Sequence, residues 1–217
     1  MGIQRDMVVE ELRELLVTGD YRTGQTLSEN ELAKRFGTSR TPIREAVAIL
    51  AYEGLIEQIP QVGIRVKPAD RSEVNELVNV RGAVEKAAAD ALCERRSVED
   101  LRTLEELVKQ MASAEESRDR VAFLDYDTAF HSKIAELAGF RQAANMLRSI
   151  RDRIRILGLD AIETNSNMHD VLAEHRNIVG ALETWDAPQV HAAIETHLAR
   201  TGDRLFAAAE AQRSEEP

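Results

Sequence analysis

Cysteine, proline, aromatic residues and long apolar runs are all scarce in this chain. Cys93 is the only cysteine among 217 residues, which excludes an intrachain disulfide and a multi-cysteine zinc site. Five prolines and 4% aromatic residues, beside 43% hydrophobic residues, favour an α-rich fold over a sandwich or a barrel. No apolar run approaches the ~20 residues that span a bilayer, and the N-terminus lacks the basic-then-apolar order of a signal peptide. We therefore expect a soluble, cytoplasmic protein.

Net positive charge is also lacking, because the formal net charge is −10. The acidity is uneven: residues 1–67 have a net charge of −1, whereas residues 68–217 have a net charge of −9. Within the first part, the basic residues cluster at Lys34, Arg35 and Arg40. Since phosphate responds to a local patch of charge, the net charge does not exclude a nucleic-acid partner.

Residues 37–56 have the pattern of a short helix with a basic tip. We expect Ser39 to cap this helix through its hydroxyl, Pro42 to be tolerated in the first turn, and Gly54 to end it. One face is apolar at helical spacing and is predicted to be buried, with Ile43, Ala46, Val47 and Leu50. The opposite side, near the N-terminus, presents Arg40, Thr41 and Arg44.

Helices are predicted before this stretch and a hairpin after it. The first helix covers residues 6–18, and a capping box formed by Ser28 and Glu31 opens the second. Two β-like runs around residues 60–63 indicate a hairpin. Three helices and a hairpin predict a winged helix-turn-helix DNA-binding domain over residues 1–67. The alternative is a small helical core without a partner.

The same stretch closely resembles the DNA-binding domain of GntR-type bacterial transcription regulators. The matching motifs are Gly24-x-x-Leu27, Glu31-Leu32-Ala33, Ser39-Arg40-Thr41-Pro42-Ile43-Arg44-Glu45-Ala46, Glu53-Gly54-Leu55-Ile56 and Gly63-x-x-Val66. The resemblance implies contacts to a short inverted repeat of double-stranded DNA. With Arg35 from the basic cluster, the predicted DNA-binding residues are Arg35, Ser39, Arg40, Thr41, Arg44 and Gly63. The sequence departs from the family at Asn30 and at Gln61-Val62, where basic residues are common.

The second part of the chain is predicted to be entirely helical. A linker at residues 68–70 leads into a domain over residues 71–212, and residues 213–217 are expected to form a disordered tail. Six helices are predicted near residues 71–95, 98–115, 119–138, 141–160, 167–184 and 187–212. They predict an all-helical antiparallel bundle, in which facing side chains can build a central site.

Three histidines and one aspartate point into apolar helix faces of this bundle. Asp127 and His131 lie one turn apart, while His175 and His197 share the apolar faces of two later helices. His169 and His191 are expected to face solvent. Three imidazoles and a carboxylate suit a divalent metal such as Zn or Ni. The alternative is a set of ordinary core histidines with satisfied hydrogen bonds.

The bundle also resembles the FCD effector domain of the FadR branch of GntR regulators, and its predicted helix count resembles the VanR-like six-helix subgroup. The matching motifs are Arg81-x-x-x-Glu85, Asp127-x-x-Phe130-His131, Glu174-His175-x-x-Ile178, Asp186 and His197-Leu198. The resemblance implies that the Asp and the three His bind a metal, with a small carboxylate ligand beside it. Phe140 departs from the asparagine that is usual after Ala138-Gly139.

Arg81 and Glu85 fall on the apolar stripe of the first bundle helix, where a charge is costly unless it is paired or used. A structural ion pair is one interpretation, and contact of Arg81 with a ligand carboxylate is the other. Arg151 is a further ligand-binding prediction. Its neighbours are expected to form a solvated basic face, namely Arg148, Arg153 and Arg155.

These patterns predict a ligand-responsive transcription regulator, most simply a repressor, that binds its operator as a homodimer. A metal-dependent helical-bundle enzyme tethered to a DNA-binding module is the main alternative. It lacks an obvious general base, because Glu174 is turned ~100° from His175. In a third interpretation, the metal only staples the bundle.

Overall fold

The structure is a computed structural model that describes residues 2–162 and 165–215. The chain divides into two compact units, with the boundary between Ala69 and Asp70. Most of the chain is helical, and one small sheet lies in the first unit. None of the described helices is long and apolar enough to cross a membrane.

The first unit is a winged helix-turn-helix, as predicted. Its elements are α1 (Gly2–Val17), β1 (Thr26–Leu27), α2 (Glu29–Arg35), α3 (Arg40–Tyr52), β2 (Ile56–Ile59) and β3 (Gly63–Val66). The sheet has the order β1-β3-β2 and is antiparallel throughout. The predicted apolar face of α3 is buried against the core of this unit, at Ile43, Ala46, Val47 and Leu50.

Of the two helix caps predicted in this unit, the cap of α2 forms and the cap of α3 does not. The capping box of α2 forms as predicted, with the backbone N–H of Glu31 donating to Ser28 Oγ at 3.1 Å. Ser39 lies at the N-cap of α3, but its hydroxyl makes no capping hydrogen bond, so that prediction is wrong. Pro42 stands at the third helical position and has no N–H, which removes one of the two backbone donors that an N-cap hydroxyl can accept from.

The wing is a tight turn between β2 and β3. Val62 N–H donates to Ile59 O at 3.1 Å, and Gln61 adopts a left-handed φ of 64°. Gly63 has a φ of 134°, and a Cβ there would lie 2.6 Å from the Leu27 carbonyl oxygen. Glycine is therefore required at 63 by the close approach of β1, a two-residue strand that the sequence did not predict.

The second unit is an all-helical bundle. Its helices are α4 (Arg71–Arg95), α5 (Val98–Ser117), α6 (Arg120–Leu137), α7 (Arg141–Met146), α8 (Arg148–Ala161), α9 (Asn165–Glu183) and α10 (Ala187–Glu215). Asp70, predicted as part of a linker, caps α4 by accepting from Glu73 N–H at 2.9 Å. The polar break predicted at 164–167 lies partly outside the described residues, and α9 already begins at Asn165.

The described part of the bundle has seven helices rather than the predicted six. The helix expected over residues 141–160 is divided at Leu147, whose ψ of 0° departs from helical geometry. The guanidinium of Arg151 donates to the Ala144 carbonyl at 2.9 Å beside this break. A side chain that bonds to a nearby carbonyl in this way has no signature in the hydrophobic spacing.

The predicted disordered tail is wrong for residues 213–215, because α10 continues to Glu215. Residues 207–211 are four alanines and a glutamate, and no glycine or proline follows before Pro217. These are strong helix formers, so the last helix has no local reason to end earlier. Residues 216–217 lie outside the described residues.

Candidate metal centre and DNA-reading surface

Four potential metal ligands converge inside the bundle. Asp127 and His131 lie on α6, His175 on α9 and His197 on α10. One donor atom from each residue lies within 4.8 Å of all the others. The three imidazoles are buried, and Asp127 is nearly so. The four residues that helical spacing singled out are therefore brought together by the fold.

The tautomer of each histidine is set by the partner of its Nδ1 atom. His175 Nδ1 donates to the Val171 carbonyl at 2.8 Å, and a carbonyl can only accept. His131 Nδ1 donates to Glu85 at 3.0 Å, and His197 Nδ1 donates to Glu174 at 3.0 Å. With a proton on each Nδ1, each neutral ring presents the lone pair of its Nε2.

These lone pairs face one another. Nε2 of His131 lies 3.0 Å from Nε2 of His175, which lies 3.2 Å from Asp127 Oδ1. Two lone pairs at that distance repel one another unless a proton or a metal ion lies between them. Burial lowers the pKa of His131, which disfavours an added proton. Ligands held ~2.1 Å from zinc are about 3–3.5 Å apart, so the spacing fits a divalent metal.

Glu85 positions His131 and is held by Arg81. Nε of Arg81 donates to Glu85 Oε1 at 2.6 Å, and both side chains are buried. Burial opposes ionisation of Glu85, but Arg81 and His131 outweigh it and lower its pKa to about 2. Nη2 of Arg81 also lies 3.3 Å from His197 Nε2. The observed geometry is therefore that of an ion pair between Arg81 and Glu85, and Arg81 also contacts His197, one of the candidate metal ligands.

Glu174 has the matching place behind His197, which sequence reasoning missed. Helical spacing turns it ~100° from His175, yet it is buried and accepts from His197 Nδ1. Arg204 grips it with two hydrogen bonds of 3.0 and 2.7 Å. Burial raises the pKa of Glu174, but His197 and Arg204 outweigh that effect and lower it to about 2. Both carboxylates accept the Nδ1–H of a histidine and thereby orient two of the candidate metal ligands.

A cavity opens beside these donors, and Asp127 and His131 form part of its wall. Its cationic lining consists of Arg81, Arg151, Arg155 and Arg204. Thr128 and Thr201 add hydroxyl groups, and the remaining wall is largely apolar. Glu85 is not among the lining residues. Convergent cations in a mostly apolar cavity are suited to a small anionic molecule.

Two predictions about exposed groups need correction. Arg153 and Arg155 are buried rather than solvated, because Glu73 and Asp125 on other helices lie 2.8 Å from them. His169 is exposed as predicted. His191 is half-buried, with Asp90 at 2.9 Å. These partners come from distant parts of the sequence, so helical periodicity could not reveal them.

The predicted DNA-binding side chains lie on the surface of the first unit. Ser39, Thr41 and the two arginines of α3 are exposed at the start of that helix. Arg35 is exposed on α2 and donates to the Tyr21 hydroxyl at 3.1 Å. Glu29 accepts from both Arg40 and Arg44, a contact that the sequence did not indicate. Its carboxyl pKa is lowered by the hydrogen bond from Arg40 in particular.

This combination of a winged helix-turn-helix with a helical bundle that encloses a polar site is that of a DNA-binding regulator. The family model "Bacterial regulatory proteins, gntR family" matches residues 4–66, and the FCD domain model matches residues 76–200. The chain belongs to the GntR family of regulators and carries an FCD domain.

Individual relatives agree with this assignment. The chain is 34% identical to an uncharacterized HTH-type regulator of Streptomyces ambofaciens, over 93% of this chain and 84% of that protein. It is 30% identical to the HTH-type transcriptional repressor RspR of Escherichia coli, over 81% and 77% of the two chains. A GntR regulator structure from Rhodococcus sp. RHA1 has a TM-score of 0.81 at 21% identity, covering 94% and 98%. Because these relatives are regulators, the chain is a transcription regulator and not an enzyme.

Proposed function

We propose that the chain is a ligand-responsive repressor, which senses a small organic acid beside a divalent metal, Zn or Ni. The observation that carries the proposal is the convergence of three Nε2 lone pairs and the Asp127 carboxylate beside an arginine-lined cavity. Asp127, His131, His175 and His197 would hold the metal. A bound metal would supply a Lewis-acidic anchor for one carboxylate oxygen.

The chain's own residues would do the rest of the recognition. Arg81 and Arg151 lie on the cavity wall, where a guanidinium can grip a carboxylate through two parallel hydrogen bonds. Glu85 would act through Arg81 and His131 rather than on the ligand. Ile154 and Leu205 on the same wall would pack on an apolar part of the ligand.

DNA recognition is assigned to residues 1–67, and residues 71–212 would bind ligand and metal and form the homodimer, with residues 68–70 between them. Two copies of α3 would then read the half-sites of a short inverted repeat in double-stranded DNA. Arg35, Ser39, Arg40, Thr41 and Arg44 would make the contacts, with Gly63 at the wing. The relevant compartment is the cytoplasm, where bacterial DNA lies.

Repression with release by ligand is the proposed direction of control. The E. coli relative described above is named a repressor, which supports the direction without supplying the operator. Ligand binding would alter the separation of the two DNA-binding units, a coupling between two sites that can be measured as a change in affinity.

A gel-shift assay on the region upstream of the protein's own gene tests the DNA-binding part. We expect a shifted band at low salt that competitor duplex of random sequence does not remove. The absence of any band under those conditions would contradict the proposal.

Metal removal distinguishes a metal that takes part in ligand binding from one that only stabilises the bundle. The chain is stripped with a chelator, and its melting temperature and its binding of a panel of small carboxylates are then measured. Loss of carboxylate binding supports the sensor. A lower melting temperature with carboxylate binding intact would instead show that the metal only stabilises the bundle.

A further inference from the structure

One carboxylate lies between the two arginines of the DNA-reading helix. Glu29, in the first turn of α2, accepts from Arg40 Nη2 at 2.8 Å and from Arg44 Nε at 2.9 Å. Its side chain is 25% exposed, whereas those of Arg40 and Arg44 are 56% and 65% exposed. The three side chains form a bridge between α2 and α3, which we call the Glu29 bridge.

The bridge leaves part of each guanidinium available. Within the part of the chain that the structure describes, Arg44 bonds to Glu29 through Nε only. Its Nη1 and Nη2 together form the edge that can bond to O6 and N7 of guanine. Arg40 turns its Nε and Nη2 side towards Glu29 and keeps Nη1 for an acceptor. Both side chains are thus tied down without losing their outer donors.

The bridge also changes how this surface meets DNA in general. Two cations and one anion leave a local charge of about +1 instead of +2, which weakens the sequence-independent attraction of phosphates. A flexible arginine that is already held in place loses less freedom on binding a base. Specificity is the difference between the affinity for the specific site and the affinity for unrelated DNA. The Glu29 carboxylate should favour the first by holding the arginines in place and weaken the second by reducing the local charge.

We infer that Glu29 is a specificity-determining positioning residue, which aligns Arg40 and Arg44 for base recognition and opposes their use on the phosphates of unrelated DNA. This inference rests on the proposed assignment of those two arginines to DNA. The competing explanation for an acidic residue at this position is helix stability. Glu29 lies at the N-terminus of α2, where a negative charge interacts favourably with the helix dipole. That role would affect stability and not the choice of DNA.

The test compares Glu29→Gln with Glu11→Gln in the full-length chain. Glu11 is an exposed residue of α1, so its variant matches the change in net charge. A specific duplex is first selected from a random pool with the wild-type chain. The affinity for that duplex and for a random-sequence duplex is then measured across a series of salt concentrations.

For Glu29→Gln we expect about three- to tenfold tighter binding of the random duplex, because a charge that repels phosphate has gone. The salt dependence of that binding becomes steeper, and the ratio of specific to random affinity falls by at least about threefold. For Glu11→Gln the ratio stays within about twofold of the wild-type value.

An unchanged ratio and salt slope in a folded Glu29→Gln chain would overturn the inference. Glu29→Asp keeps the charge on a shorter side chain, so it should retain the wild-type salt slope and lose part of the specific affinity. If Glu29→Gln does not fold, Glu29→Asp is the deciding variant, and a wild-type specific affinity in Glu29→Asp would then overturn the inference. A wild-type chain that selects no duplex would instead contradict the proposed function itself.

Discussion

Glutamate–arginine contacts occur in both units, but they differ in burial and in what they hold. In the bundle, Glu85 and Glu174 are buried, each is gripped by an arginine, and each holds the Nδ1–H of a histidine. In the DNA-binding unit, Glu29 is partly exposed and holds arginines that reach into solvent. The same pair of residue types thus orients the proposed metal ligands in one unit and the proposed DNA-contacting groups in the other.

The energies of these two arrangements should differ strongly. Removing one partner of a buried pair leaves an uncompensated charge in a poorly solvated site, which typically costs about 3–5 kcal/mol. An exposed pair is screened by water and contributes up to about 1 kcal/mol. We therefore expect the bundle contacts to govern stability and metal binding, and the Glu29 bridge to govern selectivity.

Replacement of Arg81 should produce the largest effect on stability. Arg81→Ala leaves Glu85 buried without its guanidinium, so the free energy of unfolding should fall by about 3–5 kcal/mol. Trp185 is the only tryptophan and lies in the bundle, so its fluorescence during denaturation in urea reports on this unit. Lys86→Ala, which breaks a half-exposed pair with Glu195, is the control and should cost under about 1 kcal/mol. Similar losses in the two variants would contradict the contrast in burial.

Replacement of Glu174 should weaken metal binding more than it weakens folding. Glu174→Gln keeps the shape of the side chain but removes the charge behind His197. Loss of a carboxylate that orients a metal-binding histidine typically lowers metal affinity by about 10–100-fold. Competition with a chromogenic chelator measures the change. Glu183→Gln on the same helix is exposed and should match the wild type, as should Glu29→Gln. An unchanged affinity in Glu174→Gln would show that His197 needs no carboxylate.

Replacement of Gly63 separates a structural role from direct DNA contact. In Gly63→Ala the new Cβ would lie 2.6 Å from Leu27 O, and the DNA-binding unit should lose about 1–3 kcal/mol of stability. Amide hydrogen exchange in β1 and β3 measures this loss. Gly37→Ala meets nothing within 4 Å and carries only the left-handed backbone penalty, about 1 kcal/mol. A Gly63→Ala chain with wild-type exchange but impaired DNA binding would favour direct contact.

Relief of strain at the wing should give the smallest effect, and a favourable one. Gln61 adopts a φ of 64° after Pro60, at a turn position that favours glycine. Gln61→Gly should stabilise the DNA-binding unit by about 0.5–1 kcal/mol, because the steric penalty exceeds the added freedom of the unfolded chain. Hydrogen exchange of the same strands is the measurement. A destabilised wing would show that the Gln61 side chain makes a contact worth more than the strain.

Local signals in the sequence predicted most of the fold. The Ser28–Glu31 capping box, the glycine that ends α3, and the apolar spacing of that helix all act within a few residues, and the structure follows them. Helical spacing also singled out the four residues of the candidate metal site, because each shares a face with core residues, and the structure brings their donor atoms together.

Features that depend on contacts between distant residues were missed. The two-residue strand β1 and the burial of Arg153 each arise from partners elsewhere in the chain. Glu174 is turned ~100° from His175 on α9, and nothing in the sequence of α9 indicates that its partner is His197 on α10. Periodicity describes one helix at a time and cannot show what faces it.

The most direct test of the regulator account is the coupling between the bundle site and DNA. The affinity of the zinc-loaded chain for its selected duplex is measured by fluorescence anisotropy, with and without a carboxylate shown to bind the bundle. We predict that the acid weakens DNA binding by about 5–150-fold and that Asp127→Ala abolishes this response. An acid that occupies the bundle site and leaves the affinity for DNA unchanged would contradict the account.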